Sequence, residues 1–465
     1  MRRTSSRSRY LLPLRWLSIT FVLQLVVLFV LGVSWPRQQA TLSASPVELS
    51  FLVPVDEVKP WEGLSEDFQR KHPDIRINVV TNRQQYETTD IRKNAYALDF
   101  ELSPAQYDLV YMDTVWTPDF AGRLQDLTSL AEADSFDVTG FLESELEAGK
   151  YEGRLYRLPM RADIGLLYYR KDLLEEIGAA LPSTLAELEQ VSDLLTQRPD
   201  VKFGYLWQSG PYEGLITTFI EVMNGFGGQW VDPATNQVGL TKPETVAAAR
   251  LLRSLVQRNI SPVTRDTRES GQSSAADTAD KEGYVEQSSL DDFMNEGGVF
   301  LRGWPSFWSV LTDDSREDSL KGKIGIALPF SFTSADSVGC RGGWGFGIPT
   351  NAAYPDEAWT AIKYFTSEAA QKKFTLASGF LPSRRALFED DEIREQYPHM
   401  PRMLDYLENS SVSRPLVTNY GAASDALKTA LSDIINGNRS VDEAMAEAQA
   451  KTRELLNLEG SNSDS

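Results

Sequence analysis

The segment from Val47 to Val80 constrains the fold more than any other part of the chain. VELSFLVPV (Val47–Val55) predicts a strand, and the alternating apolar and polar residues of IRINVV (Ile75–Val80) predict another. The apolar residues between them lie three and four positions apart, as on the buried face of a helix: Trp61, Leu64 and Phe68. This strand–helix–strand order predicts two parallel strands joined by a right-handed crossover.

The same alternation continues along the chain. Tyr107–Asp113 predicts a third strand, and the pairs Thr184 with Glu187 and Thr241 with Glu244 each have the spacing of a helix capping box. Later strands are predicted at Val299–Trp308, Lys323–Phe330 and Gly342–Pro349. Alternating strands and helices predict an α/β fold with largely parallel sheets, in which ligands lie beyond the carboxyl ends of strands.

The stretch Lys150–Gly178 predicts two extended runs followed by a helix. The second run, Ile164–Tyr169, is nearly all apolar, which is typical of a strand buried on both faces of a sheet. Arg161 and Asp163 stand between the two runs, where the chain otherwise reads as buried. Such a charged pair either forms an ion pair for structural reasons or faces a ligand.

The first 45 residues differ from the rest of the chain. Trp16–Trp35 is an uncharged run of about 20 residues, which as a helix would span roughly 30 Å, the thickness of a bilayer core. Five arginines precede it, which favours a cytoplasmic N-terminus and an exported body. We predict an uncleaved anchor; the alternative is a cleaved signal peptide, whose apolar region normally spans only ~7–15 residues.

Composition excludes several classes of function. The first 45 residues hold six of the 46 Lys and Arg and none of the 66 Asp and Glu, so the body is even more acidic than the net charge of −20. Such a body is a poor ligand for nucleic acid or anionic lipid. Cys340 is the single cysteine, and the two histidines, His72 and His399, are far apart, so neither a disulfide nor a zinc site is expected. Both histidines are predicted to be solvated. No phosphate-binding or dinucleotide glycine motif is present, and no cofactor is predicted.

Six strings, in order along the body, carry a resemblance to a known family: WEGLSEDFQRKHPDIRINVV, YDLVYMDTVWTPDFAGRLQDLT, EGRLYRLPMRADIGLLYYRKDLLEEIG, FLRGWP, RGGWGFGIP and SRPLVTNY. Together they resemble the family 1 extracellular solute-binding proteins of carbohydrate ABC importers, particularly the trehalose/maltose-binding branch. The resemblance implies a type II periplasmic-binding-protein fold, in which two α/β lobes are joined by a hinge with a ligand cleft between them.

Composition and the resemblance together predict a division of the chain. Residues 1–45 would be the Arg-rich tip, membrane anchor or signal, and linker. The N-lobe would comprise 46–160 and 339–376, and the C-lobe 161–338 and 377–458, with a flexible loop at 264–289. Residues 459–465 would be a disordered tail.

The family's sugar site can be carried over position by position onto Glu57, Arg92, Asp113, Asp163, Trp304, Gly343, Trp344 and Arg414. Two positions depart from the family: Arg161, a ninth site residue, stands where relatives carry a tyrosine, and Ser306 where an aromatic residue is common. Both departures exchange stacking surface for polarity. The residue types fit a sugar, since carboxylates accept hydroxyl hydrogen bonds, arginine donates in a fixed fork and tryptophan offers a flat apolar face.

The expected function is therefore a monomeric binding protein without catalytic or metal-binding residues. It would capture a neutral disaccharide or glucosyl-polyol of the trehalose, maltose, sucrose or glucosylglycerol class and deliver it to an ABC permease. It would work at the periplasmic face, tethered by the helix at 16–35 or released by cleavage. An exported glycoside hydrolase using Asp113 and Asp163 is the alternative. A sensor is a third possibility, although about 15 residues before the anchor leave no room for a cytoplasmic output domain.

Overall fold

The computed structural model describes residues 45–81, 88–232, 235–266, 281–295, 297–333 and 336–457. The run predicted as an anchor, the predicted tail and residues 267–280 of the predicted loop lie outside the described residues. Within the described ranges, no helix is both long enough and apolar enough to cross a membrane.

The strands are, in chain order, β1 (Val47–Leu52), β2 (Ile75–Val80), β3 (Val110–Asp113), β4 (Lys150–Tyr151), β5 (Arg154–Leu155), β6 (Leu158–Ile164), β7 (Leu166–Arg170), β8 (Phe203–Leu206), β9 (Thr264–Asp266), β10 (Lys281–Gly283), β11 (Gly298–Gly303), β12 (Ile324–Ala327), β13 (Gly339–Gly347), β14 (Leu381–Pro382) and β15 (Ser411–Val412). The α-helices are Val58–Lys71, Thr89–Asp99, Thr117–Phe120, Leu127–Ala133, Glu143–Glu147, Lys171–Glu176, Leu185–Leu195, Glu213–Gly225, Pro243–Gln257, Glu286–Asn295, Phe307–Leu311, Pro355–Phe365, Glu368–Ser378, Asp391–Gln396, Met400–Asn409, Tyr420–Ile435 and Val441–Leu455. Single 3-10 turns lie at Val55–Glu57, Thr114–Trp116, Ala121–Arg123 and Arg385–Glu389.

The first strand–helix–strand unit forms as the sequence predicts. β1 and β2 are parallel, and the three apolar residues of the helix between them are fully buried. The capping box of Thr184 and Glu187 is also confirmed. The one predicted at Thr241 and Glu244 is wrong, because the helix there begins at Pro243 and no side chain caps it.

Two larger sheets organise the molecule. In the first, strands lie in the order β14-β6-β13-β15, and β3 also pairs with β13; in the second the order is β12-β7-β11-β8. Only two of these pairs are parallel, β11 with β8 and β13 with β15. The prediction of largely parallel sheets is therefore wrong. The chain reaches β13 directly from the second sheet and not through a crossover helix. β13 therefore runs antiparallel to β6 and β3.

The chain passes from the first sheet to the second at Gly165, between β6 and β7, and returns between β12 and β13. The two crossings touch, since the Gly165 amide donates to the Cys340 carbonyl oxygen at 2.9 Å. Arg161 and Asp163 lie inside β6, not between two strands as predicted, and all seven residues of β6 are buried. The predicted lobe boundaries remain a prediction.

The predicted loop at 264–289 contains regular structure at both ends. β9 and β10 form an antiparallel pair, and a helix begins at Glu286. Ser288 and Ser289 on that helix are buried. The polar composition of this segment hides the helix from a prediction based on hydrophobic periodicity, because serines form part of the buried face of the helix.

His399 is buried rather than solvated as predicted. Its side chain is 8% exposed, and its ring centroid lies 4.8 Å from that of Trp308. Burial disfavours the charged form, and together with the nearby Arg402 it lowers the pKa of His399 to about 4.

Candidate functional site

A cavity of about 370 Å³ brings together residues of the first sheet, the segment that follows β11 of the second sheet, and helices and connections around them. All nine residues singled out from the sequence line it: Glu57, Arg92, Asp113, Arg161, Asp163, Trp304, Gly343, Trp344 and Arg414. Ser306, the other departure from the family pattern, lines it too. Asp113 ends β3 and Trp304 follows β11, so these two side chains lie at strand ends as expected.

Arg161 is the centre of one charged cluster in the cavity wall. Its Nη2 donates to Glu57 Oε1 at 2.8 Å, its Nε donates to the Tyr111 hydroxyl at 3.0 Å, and its Nη1 forms an ion pair with Asp163. The other Glu57 oxygen accepts from the Tyr111 hydroxyl and from Trp61 Nε1. The guanidinium is therefore held by protein groups on three sides, and its charge is compensated.

Aromatic rings flank the same guanidinium. The Arg161 guanidinium carbon lies 3.9 Å from the Phe380 ring centroid and 5.6 Å from that of Trp344. Arg92 lies 4.7 Å from the Trp344 centroid. Trp344 is only 6% exposed, whereas Trp304 is partly exposed. Of the two predicted tryptophans, Trp304 thus offers more accessible surface to a ligand.

Asp163 has one oxygen committed and one unused. Oδ2 pairs with Arg161, whereas Oδ1 is buried and has no hydrogen-bond partner within the described part of the chain. A buried acceptor without a donor costs about 1–3 kcal/mol, more when it is charged. Asp163 lines the cavity. A donor group on a ligand, such as a hydroxyl, can satisfy this oxygen.

A second charged cluster centres on Arg414. Its two terminal nitrogens donate to both oxygens of Asp113, at 2.6 and 3.1 Å, and Nη1 also donates to Glu213 at 2.8 Å. Tyr420 and Ser424 donate to Glu213. Burial raises the pKa of Asp113, but Arg414 outweighs burial with charge and hydrogen bonds, so the pKa lies below its ordinary value.

Three acidic residues of the cavity are not among the predicted site residues: Asp56, Glu213 and Glu286. Glu213 lies in the first turn of a helix that is otherwise almost entirely buried, and an acid ahead of such an apolar run is a usable signal. Glu286 accepts from Trp304 Nε1 at 3.3 Å and from the Tyr212 hydroxyl at 2.6 Å. The sequence predicts a loop for the segment that contains Glu286, so no site residue is expected there.

The carboxylate pair of the hydrolase alternative, Asp113 and Asp163, does not fit glycoside hydrolysis. A glycosidase needs one carboxyl group whose pKa is raised so that it can donate a proton to the leaving group. Asp113 is held by both of its oxygens with a lowered pKa, and Asp163 is engaged in an ion pair. Within the residues that the structure describes, no group of three or more His, Cys, Asp or Glu side chains could hold a metal ion.

The chain is similar to known proteins over most of its length. The model of one family, described as bacterial extracellular solute-binding protein, matches residues 54–372. A probable ABC transporter-binding protein of Deinococcus radiodurans is 24% identical over 366 residues, which cover 77% of this chain and 82% of that protein. A maltotriose-binding protein of Pyrococcus abyssi is 24% identical, covering 77% of this chain and 70% of that protein.

The fold is also similar to that of a solved structure, the maltose-bound MalE3 of T. maritima. The TM-score is 0.78 and the sequence identity 28%, over 88% of this chain and 100% of that one. This similarity confirms the predicted class of two-lobed α/β binding-protein fold.

Proposed function

The chain belongs to the bacterial extracellular solute-binding protein family, and from that premise we propose that it captures a neutral disaccharide or glucosyl-polyol and delivers it to an ABC permease. The trehalose, maltose, sucrose and glucosylglycerol class is the proposed range of ligands. The names of its relatives support this range, since one is called a maltotriose-binding protein and another structure is described as maltose-bound. These relatives are solute-binding proteins and not enzymes.

The unpaired oxygen of Asp163 is the observation that carries the proposal. A ligand hydroxyl that donates to Oδ1 gives a charge-assisted hydrogen bond to a buried oxygen. Arg161 and Arg414 are already neutralised by carboxylates, so a phosphate or carboxylate on the ligand would find no uncompensated charge on either. An uncharged ligand rich in hydroxyl groups fits these conditions.

Closure of two lobes on the ligand is the proposed mechanism. The two crossings at Gly165 and before β13 are adjacent, which supports a hinge between the bodies that carry the two sheets. The nine predicted residues in the cavity would then contact the sugar from both lobes. Trp304 would stack on a ring face, and the carboxylates would accept hydroxyl hydrogen bonds.

The proposed place of action follows from the family, which is extracellular. We propose that the protein works as a monomer on the outer face of the cytoplasmic membrane, held there by the apolar run Trp16–Trp35 or released after its cleavage. The permease would be its protein partner.

Isothermal titration calorimetry of the exported body tests the proposal. Trehalose, maltose, sucrose and glucosylglycerol are titrated in turn, with glucose 6-phosphate as the anionic control. At least one neutral ligand should bind at micromolar affinity or better, about −8 kcal/mol, and the phosphate should not. Absence of heat with every neutral sugar and polyol would refute the sugar assignment.

A further inference from the structure

We propose that Arg302 is a positioning residue, which holds the ring of Trp304 and ties it, through Glu221, to the place where the two sheets are joined. The inference rests on the proposed function in one respect, that Trp304 contacts the ligand. Arg302 itself does not line the cavity.

Trp304 rests on a buried cation. The Arg302 guanidinium carbon lies 4.1 Å from the centroid of the indole ring, within the range of a cation–π contact. Arg302 is fully buried, so water screens this contact little. The indole nitrogen donates to Glu286, which restrains the ring edge, while the guanidinium supports its face. Both contacts fix the ring before any ligand is present.

The counter-ion of Arg302 leads to the crossing strands. Glu221 accepts from Arg302 at 2.7 and 3.2 Å, and its Oε1 also accepts from the Cys340 amide at 3.0 Å. Cys340 is the second residue of β13, directly after the return crossing, and its carbonyl oxygen accepts from the amide of Gly165 on the outward crossing. A Cβ atom at Gly165 would lie 1.7 Å from Glu221 Oε1 and 2.6 Å from Arg302 Nη2. The ion pair is therefore packed directly against the outward crossing and against the start of β13.

This chain of contacts has a functional consequence. When the Trp304 ring shifts upon stacking, it moves the Arg302 guanidinium. Arg302 is paired with Glu221, which accepts a hydrogen bond from the Cys340 amide at the start of β13. Conversely, a change in backbone geometry at Gly165 and Cys340 disturbs the platform under the ring. Ligand contact at Trp304 and the geometry of the crossings are thus linked by one buried ion pair.

Arg302→Lys separates the two roles, because lysine keeps the charge near Glu221 but loses the flat guanidinium. In ligand-free protein, the indole NMR signal of Trp304, assigned with Trp304→Phe, should move or split in this variant. The exchange rate of the Cys340 amide should stay within about twofold of wild type, and maltose affinity should fall by about tenfold or more. Arg157→Lys is the matched control, since Arg157 and Glu145 form another fully buried ion pair. This control should leave the Trp304 signal unchanged.

The double substitution Arg302→Met with Glu221→Met removes both charges and leaves no buried ion unpaired. Here the Cys340 amide loses its acceptor, and its exchange should accelerate by about tenfold or more. An unchanged Trp304 signal in Arg302→Lys would overturn the positioning role, and unaccelerated exchange in the double variant would overturn the link to the crossing. Both readouts are made without ligand, so a failure of wild type to bind any of the proposed neutral sugars would count against the proposed function alone.

Discussion

Replacing Asp163 by alanine distinguishes a ligand contact from a structural ion pair. A ligand contact predicts a loss of ligand affinity, whereas a structural ion pair predicts a loss of unfolding free energy. The substitution removes Oδ1, the unused acceptor, and Oδ2, one of two carboxylate partners of Arg161. A hydrogen bond to a charged group contributes about 1.5–3 kcal/mol, so ligand affinity should fall about 10- to 150-fold. Arg161 keeps Glu57 and the Tyr111 hydroxyl, so unfolding free energy should fall by less than the 3–5 kcal/mol typical of a broken buried pair.

Two measurements on the same protein decide the question. Calorimetric titration with the best ligand of wild type gives the affinity, and urea denaturation of the ligand-free protein gives the unfolding free energy. Asp163→Asn is the matched control, since it keeps the shape and an acceptor oxygen but loses the charge, and its affinity should lie between those of wild type and Asp163→Ala. Unchanged affinity together with a stability loss of about 4 kcal/mol or more would refute the ligand role of Asp163.

Three further predictions concern Arg161, His399 and Gly165. Arg161→Tyr introduces the residue that the family pattern expects and leaves Glu57 and Asp163 without their cation. Urea denaturation should show that the free energy of unfolding falls by about 3 kcal/mol. A fall below about 1 kcal/mol would contradict the ion-pair role. The pKa of His399 is about 4 in the folded protein and about 6.5 in the unfolded chain. Between these values the unfolded chain binds a proton that the folded protein does not. The free energy of unfolding should therefore decrease by about 3 kcal/mol as pH falls from about 7 to about 4. In His399→Gln this part of the decrease should vanish, and an identical pH profile would show that other groups cause it. Gly165→Ala should cost about 3 kcal/mol or more by urea denaturation, because the added Cβ meets a buried carboxylate at 1.7 Å, whereas Gly122→Ala, with nothing within 4 Å, should be nearly neutral.

The positions of Asp113 and Trp304 could be predicted because both lie in short strings with a fixed relation to strand ends. Asp113 directly ends β3, and Trp304 follows β11, so a local reading places both correctly. The partners of these residues could not be predicted in the same way. Arg414 reaches Asp113 from 301 positions away, and no local pattern reports such a pairing.

Strand direction was the main error, and its origin is physical. Alternating strands and helices predict parallel pairs only when each helix returns the chain to the same sheet. β6 and β7 follow each other with Gly165 alone between them, yet they belong to different sheets. Periodicity shows that a segment is a buried strand, but it does not show which sheet receives it.

The position of β13 has a consequence for how the chain acquires its structure. β13 is the central partner of the first sheet, where it pairs with β3, β6 and β15. All four strands of the second sheet lie between β6 and β13 in the sequence. A growing chain that has not yet reached Gly347 therefore lacks the middle of its first sheet, and the strands on either side remain unpaired there. Because contacts of such long sequence separation form slowly, we expect folding to be late and the nascent chain to stay unfolded until most of its length is available.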